Sequence, residues 1–323
     1  LYRVPLAGGQ AEQVTTETGW HQTVLSPKAT HLIDTHSSLL TPPQVHLYAV
    51  GGERRTKLES NELPERDEYH WIEPQFVTLE AEDGSPLYGR LTLPLGFAPG
   101  RRYPAIVKVY GGPHAQTVAD AWDASLYVQL FAQAGHVVFE LDNRGMGGRG
   151  KTFCAALYEH MGGVEVEDQL LGVEYLKTLP YVDPARIGVF GWSYGGYMTL
   201  MCMARAPGAF KAGVAVAPVT DWKLYDTHYT EHYMGHPAEN VDGYRESSVL
   251  THIEHLTGKL LLVHGMADDN VLFQNSVLLM EAMQQAGIPF EMMAYPGKKH
   301  GIRGKNARTH LFEMILGFLE RSL

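Results

Sequence analysis

Residues 191–195 read Gly-Trp-Ser-Tyr-Gly, a spacing at which a serine hydroxyl can become a nucleophile. Residues 186–190 (RIGVF) are short and apolar behind a Pro184 turn signal, which predicts a buried strand. Residues 195–205 are rich in Met, Leu and Ala, which predicts a helix. A strand, a sharp turn and a helix would present Ser193 at the carboxyl end of a sheet, beside the positive end of a helix dipole. The glycines have a physical reason: where strand and helix pass closely around a strained serine, only residues without a Cβ fit. Chance can produce Gly-x-Ser-x-Gly in a chain with 34 glycines, and the flanking strand and helix set this one apart.

Serine is a weak nucleophile, so it needs a base and a group to orient that base. Residues 259–263 (KLLLV) form a continuous apolar run leading into His264-Gly265-Met266-Ala267-Asp268-Asp269-Asn270. An acid just past the end of that strand is placed to orient a histidine, and spacing leaves Asp268 and Asp269 equivalent. Residues 290–295 predict the next strand, followed by Pro296-Gly297-Lys298-Lys299-His300-Gly301. Alone, His300 reads as an ordinary loop histidine, one of 16. Serine, acid and histidine in that order on three strand ends predict an α/β-hydrolase fold and nucleophilic acyl transfer.

The elements around these residues agree. Strands are expected at 105–110, 136–141 and 212–216, and helices at 126–134, 164–178 and 306–323. The alternation implies a mostly parallel sheet with helices on both faces. Residues 76–79 and 87–93 predict an antiparallel pair around the Asp83-Gly84 turn, and the charged stretch 59–73, with Pro64, predicts a linker or exposed helix. Nearer the start, Leu1-Tyr2-Arg3-Val4 with Gly8-Gly9 is echoed by Leu47-Tyr48-Ala49-Val50-Gly51-Gly52, with short strands at 20–25 and 31–35 between. A period of about 40–50 residues with four strands per unit matches a β-propeller blade; a small β-domain with a coincidental pair of strands is the alternative. The expected division is a C-terminal blade remnant plus linker over residues 1–70 and an α/β-hydrolase domain over residues 71–323. Leu1 is not an initiator methionine and no signal peptide is visible, so the chain is expected to be cut from something longer, with further blades before Leu1.

A hydrophobic fraction of 45% supports a sizeable core, and a formal charge of -10 without basic runs argues against nucleic-acid binding. No apolar run approaches the ~18 residues of a membrane span. Cys154 and Cys202 provide neither a disulfide framework nor metal-ligand spacing. His228, His232 and His236 recur every four residues, yet Gly235-His236-Pro237 should end any helix there, so no metal site is expected. Serine acyl-transfer chemistry requires no cofactor.

The stretches Val109-Tyr110-Gly111-Gly112-Pro113, Asp142-Asn143-Arg144-Gly145, Val166-Glu167-Asp168-Gln169, Gly191 to Tyr197 and His264 to Val271 together resemble the prolyl oligopeptidase family, most closely its dipeptidyl peptidase IV branch. The likeness runs from about Trp71 to the C-terminus. It implies that Asp268, rather than Asp269, completes a triad with Ser193 and His300, and that the Tyr194 N–H and the Tyr110 hydroxyl form an oxyanion hole. Without the resemblance, Tyr110 reads equally well as an aromatic packing under a loop. The resemblance further implies that Val219, Trp222, Tyr225, Tyr229, Tyr194 and Val271 wall a small apolar pocket for proline, and that Asn270 holds the carbonyl of the preceding residue. Tyr225 and Tyr229, four apart, are also explained by one face of an amphipathic helix, and Asn270 by a turn. The implied activity is that of a serine exopeptidase releasing N-terminal Xaa-Pro or Xaa-Ala dipeptides from peptide substrates through an acyl-enzyme, and a homodimer is compatible with it. In this branch two glutamates of the propeller capture the substrate amine and an arginine steadies the substrate; all three are expected upstream of Leu1. Prolyl tripeptidyl and acylaminoacyl peptidases share the hydrolase part. A carboxylesterase, or a non-catalytic binding protein of the same fold, are further alternatives; a complete Ser-Asp-His set argues against the latter.

Overall fold

The described residues of the computed structural model, 1–51, 54–123 and 125–323, divide into two units, with the side chains of residues 54 and 55 outside the description. Leu1–Pro74 and Ala119–Gln129 make up the first. In it, β1 (Tyr2–Arg3) pairs antiparallel with β2 (Glu12–Gln13). Strands β3 (Trp20–Leu25), β4 (His31–Ser37), β5 (Gln44–Ala49) and β6 (Arg54–Glu59) form an antiparallel sheet in chain order. The two Leu-Tyr echoes thus each lie on the first strand of a strand–turn–strand pair; Gly52 of the second lies outside the described residues. In β4 the period of two is plain, with Leu32, Asp34 and His36 buried and His31 and Ile33 exposed. The core of this unit is small, built on Val14, Leu32 and Tyr48.

The charged stretch 59–73 holds one short 3-10 turn, Pro64–Glu68, without a buried residue. Ala119–Gln129, which sequence order places within the α/β part, groups instead with this first unit. Its Trp122 stacks on Trp71 at 4.7 Å between ring centroids, and the Arg66 guanidinium lies 5.6 Å from each ring. The Leu39 N–H also donates to Asp120 at 2.9 Å. Contacts between residues this far apart in sequence leave no local trace.

The second unit comprises Gln75–Val118 and Leu130–Leu323. After β7 (Gln75–Glu80), β8 (Pro86–Thr92) and β9 (Tyr103–Val109) come α1 (Tyr127–Gln133), of which residues 127–129 group with the first unit, then β10 (Val137–Asp142), α2 (Lys151–Cys154) and α3 (Val164–Thr178). Then follow β11 (Val182–Trp192), α4 (Tyr194–Arg205), β12 (Ala212–Val216), α5 (Thr227–Met234) and α6 (Val241–Ser247). The chain closes with β13 (Lys259–Gly265), α7 (Gln274–Gln285), β14 (Glu291–Tyr295) and α8 (Lys305–Ser322). The sheet order is β14-β13-β12-β11-β9-β10-β8-β7, parallel except for the pairs β8 makes with β10 and β7.

Strands covered on both faces read as continuous apolar runs, and every residue of β12 is buried. Strand β10 is also buried throughout although it carries Glu140, whose carboxylate is satisfied by Arg90 Nε at 2.6 Å and by Lys108. Strand β11 begins four residues before the stretch expected from its apolar run; Pro184 falls where its register shifts between Val182 and Ile187, so a turn signal is absorbed as an irregularity. Both cysteines are free, with Cys202 buried in α4. No described helix is long and apolar enough to cross a membrane.

One consequence of this topology governs the site. Strands β9, β11, β12, β13 and β14 are mutually parallel, so their carboxyl ends share an edge, where open α/β sheets place their ligand sites. Tyr110 follows β9, Ser193 follows β11, the stretch 217–229 follows β12, Asp268 follows β13 and His300 follows β14.

Candidate active site

Ser193 sits between β11 and α4 with φ 61° and ψ -121°, a left-handed conformation that costs a non-glycine residue of order 1–3 kcal/mol. Its neighbours hold it there: its N–H donates to the Val216 carbonyl at 2.8 Å, and its own carbonyl accepts the Tyr197 N–H at 3.0 Å. A Cβ on Gly191 would lie 2.0 Å from the Gly195 carbonyl oxygen, and one on Gly195 would lie 2.3 Å from that of Val109. Neither glycine has positive φ, so close approach rather than handedness requires them. The serine is half-buried. Among the described residues no hydrogen bond engages its Oγ; catalytic hydrogen bonds commonly tighten only when substrate binds.

The two adjacent acids, equivalent by spacing, part company in three dimensions. Asp269 is 61% exposed and paired with Lys299 at the surface, whereas the Asp268 side chain is wholly buried. Oδ2 of Asp268 accepts from His300 Nδ1 at 2.8 Å, which leaves Nε2 of His300 as the basic atom. Its Oδ1 accepts the N–H groups of Asn270 at 3.0 Å and Val271 at 3.1 Å. A second imidazole, that of the wholly buried His264, places Nε2 3.2 Å from Asp268 Oδ2 and 2.9 Å from the Val271 carbonyl. Two acceptors at Nε2 put the proton there, and Nδ1 then accepts from Ser276 Oγ at 2.7 Å. Burial alone would raise the Asp268 pKa, but donors from His264, His300 and Asn270 outweigh it and hold the carboxyl well below the usual carboxylate range.

The loop that bears His300 is laced to the one that bears Asp268. Met266 N–H donates to the Tyr295 carbonyl and Ala267 N–H to that of Lys298, each at 3.0 Å. Gly265 permits this approach, since a Cβ there would stand 2.4 Å from the Lys298 oxygen. The Trp192 indole N–H donates to the His300 carbonyl at 3.0 Å, tying the histidine backbone to the strand that carries the serine. Arg308 donates to the Gly301 carbonyl at 3.2 Å while its guanidinium lies 5.2 Å from the Trp192 ring centre.

Tyr110, 36% exposed, directly follows β9, with its ring centre 6.1 Å from that of Tyr194. Burial, with a smaller contribution from Tyr233, raises its pKa, so the phenol stays a hydrogen-bond donor at neutral pH. Tyr194 opens α4, where a backbone N–H has no intrahelical acceptor. If Tyr110 is an oxyanion donor, as the resemblance implies, Tyr110→Phe is expected to lower kcat by about 10²–10³ with little change in KM, because such a hydrogen bond forms with developing charge. Steady-state kinetics check this, and an unchanged kcat would leave Tyr110 a packing residue.

The aromatic residues gather in one cluster. Buried Trp222 lies 6.1 Å from Tyr229 in a near-parallel stack, 5.9 Å edge-on from Tyr225 and 5.3 Å from Tyr194. Val219 and Val271 are buried in the same core, against which the half-buried Tyr225 and Tyr229 pack. Tyr225 is extended, at φ -104° and ψ 166°, and only Tyr229 lies within α5, so a single helix face does not account for the pair. Asn270 is exposed; its N–H shapes the Asp268 turn, as its turn reading expects, and its Oδ1 accepts the Tyr225 hydroxyl at 2.7 Å. Helix α5 stops at Met234 before Gly235 at φ 67°, so His236 lies beyond the helix that carries His228 and His232. Among the described residues no group of three His, Cys, Asp or Glu has metal-binding geometry.

A mostly parallel sheet that offers a serine on a sharp turn at its carboxyl edge is the α/β-hydrolase fold. Residues 122–323 match the prolyl oligopeptidase family, and the chain belongs to that family. Dipeptidyl peptidase 8 of Mus musculus is 34% identical over 98% of this chain and 37% of its own length. Dipeptidyl peptidase 4 of Sus scrofa is 38% identical over 74% of this chain and 32% of its own. The crystal structure of Porphyromonas gingivalis dipeptidyl peptidase 4 matches with a TM-score of 0.95 and 39% identity, over 100% of this chain and 46% of that one. The chain thus spans about a third of the length of the curated relatives it matches.

Proposed function

We propose that this chain carries the catalytic part of a serine exopeptidase that releases N-terminal dipeptides after proline and, less readily, alanine. Ser193 Oγ attacks the carbonyl carbon of the scissile bond while His300 Nε2 takes its proton. The oxyanion receives hydrogen bonds from the Tyr194 N–H and the Tyr110 hydroxyl. His300 then protonates the leaving amine, the acyl group stays on Ser193, and water activated by the same imidazole hydrolyses the ester. Asp268 holds the imidazole with its proton on Nδ1 throughout. The observation that carries this reading is the 2.8 Å hydrogen bond from His300 to a buried, strongly acidic Asp268, on the sheet edge that also bears the strained Ser193.

The preference for proline rests on the Trp222, Tyr225, Tyr229 and Tyr194 cluster, which offers a flat apolar ring good packing and a charged side chain no partner. The relatives named as dipeptidyl peptidases support the same substrate class. Acetyl-capped peptide p-nitroanilides test the pocket without calling on amine recognition. Proline at the cleavage position should be much better than leucine or lysine, and Tyr225→Ala should erode that preference by roughly tenfold, the effect of one lost aromatic wall. Trp222→Ala should erode it too, but removing a fully buried indole also costs about 3–5 kcal/mol of stability, so Tyr225 gives the cleaner measurement. Equal cleavage after lysine and proline by the unmodified protein would refute the pocket.

A further inference from the structure

Glu165, the second residue of α3, takes no part in the chemistry above, yet it stands directly behind the aromatic cluster. It is wholly buried. Its Oε1 accepts the Tyr194 hydroxyl at 2.7 Å and the Gly162 N–H at 2.9 Å, while its Oε2, also buried, has no hydrogen-bond partner among the described residues. A buried carboxyl with one idle oxygen is a costly arrangement that an apolar side chain of similar size would avoid. What such a side chain could not do is receive the phenol of Tyr194, itself buried among Tyr197, Trp222 and Tyr110. Arg205 of α4 donates to the Gly162 carbonyl and so fixes the backbone that supplies the carboxyl's other donor.

We propose that Glu165 is a positioning residue that sets proline selectivity by anchoring the far end of Tyr194. The inference rests on the pocket reading above. Tyr194 has two roles there: its ring packs against Trp222, and its N–H is the oxyanion donor beside Ser193. A swing of the ring about χ1 would carry its hydroxyl away from Glu165, so the hydrogen bond at the hydroxyl opposes that swing. The groups that face the carboxyl are Tyr194, Tyr197, Cys202 and Arg205 from α4 and Tyr229 from α5. Burial pushes the Glu165 carboxyl up to about 7, against the pull of the Gly162 and Tyr194 hydrogen bonds, while burial keeps the Tyr194 phenol protonated. In either charge state Oε1 remains an acceptor, so glutamine should serve in its place.

The test compares wild type, Glu165→Gln, Glu165→Leu, Tyr194→Phe and the Glu165→Leu/Tyr194→Phe double variant. Rates are taken per active site titrated with a fluorophosphonate, on acetyl-capped Pro and Ala p-nitroanilides. Glu165→Leu should lower the Pro-to-Ala ratio of kcat/KM by about tenfold, the effect of one buried hydrogen bond. Glu165→Gln should keep the ratio within about threefold of wild type. Tyr194→Phe, which deletes the same bond from its other side while keeping the ring, should lower the ratio as Glu165→Leu does. Adding Glu165→Leu to it should change little more. A Pro-to-Ala ratio that survives Glu165→Leu or Tyr194→Phe, a glutamine variant as impaired as leucine, or two effects that multiply would overturn the proposal. A wild-type protein with no preference for proline would overturn the pocket reading instead, so the two failures are distinguishable.

Discussion

Ser193→Ala is expected to lower kcat for capped Pro amides and for activated esters alike by about 10⁶, and His300→Ala by a similar factor. On the proposed mechanism, nucleophile and base act as one device. Without His300 Nε2 to take its proton, the Ser193 hydroxyl attacks no better than water; without the serine, the base has nothing to activate. The double variant should therefore be no slower than either single one, since the residual rate comes from the oxyanion donors and from binding. Ser193→Ala leaves the strained φ of 61° in place and removes an oxygen that makes no hydrogen bond among the described residues, so thermal stability should stay close to wild type. Steady-state rates beside thermal unfolding check both halves. A serine variant that loses activity only in proportion to lost folded protein would contradict the assignment.

The second large effect is expected at Asp268. Asp268→Asn should lower kcat by about 10⁴, because an amide facing His300 donates where the carboxylate accepted and turns the imidazole to its unproductive tautomer. The cost is compounded here, since His264 Nε2 and the Asn270 and Val271 N–H groups also point donors at this side chain. The neighbouring Asp269→Asn, which breaks only an exposed pair with Lys299, should leave rates unchanged. Acid stability follows from the same geometry. The folded pKa of Asp268 lies below its ordinary value of 3.8, so its contribution is complete above that pH and lost as the pH falls further. Asp268→Asn should accordingly flatten the acid limb of the stability curve. A protein whose activity tolerates Asp268→Asn but not Asp269→Asn would reverse the roles assigned to the two acids.

How much of this can be read in the sequence depends on whether a residue's neighbours are local. Ser193, Asp268 and His300 stand out because each follows a short run, bounded by turn residues, that reads as a strand, and parallel strands bring their carboxyl ends together. The choice between Asp268 and Asp269 has no such local mark; it follows from which of them turns inward to His264 and His300. Tyr225 and Tyr229 look like one helix face from their spacing, yet the helix starts only at Thr227. Glu165 carries no local sign of its burial. In Val-Glu-Val-Glu-Asp at the start of a helix, every acid reads as solvated and favoured by the helix dipole. The fold buries Glu165 and Asp168 and leaves Glu167 exposed. Tyr194 and Arg144 supply their respective partners, neither adjacent in sequence. The stacking of Trp122 on Trp71, which groups residues 119–129 with the first unit, is illegible for the same reason.

The central claim is that one serine, activated by His300, performs the chemistry. It is tested most directly by reacting the protein with a fluorophosphonate and locating the adduct by peptide mass spectrometry. A single adduct is expected on Ser193, and it should disappear in His300→Ala. An adduct on another serine, or labelling of Ser193 that is indifferent to His300, would contradict it.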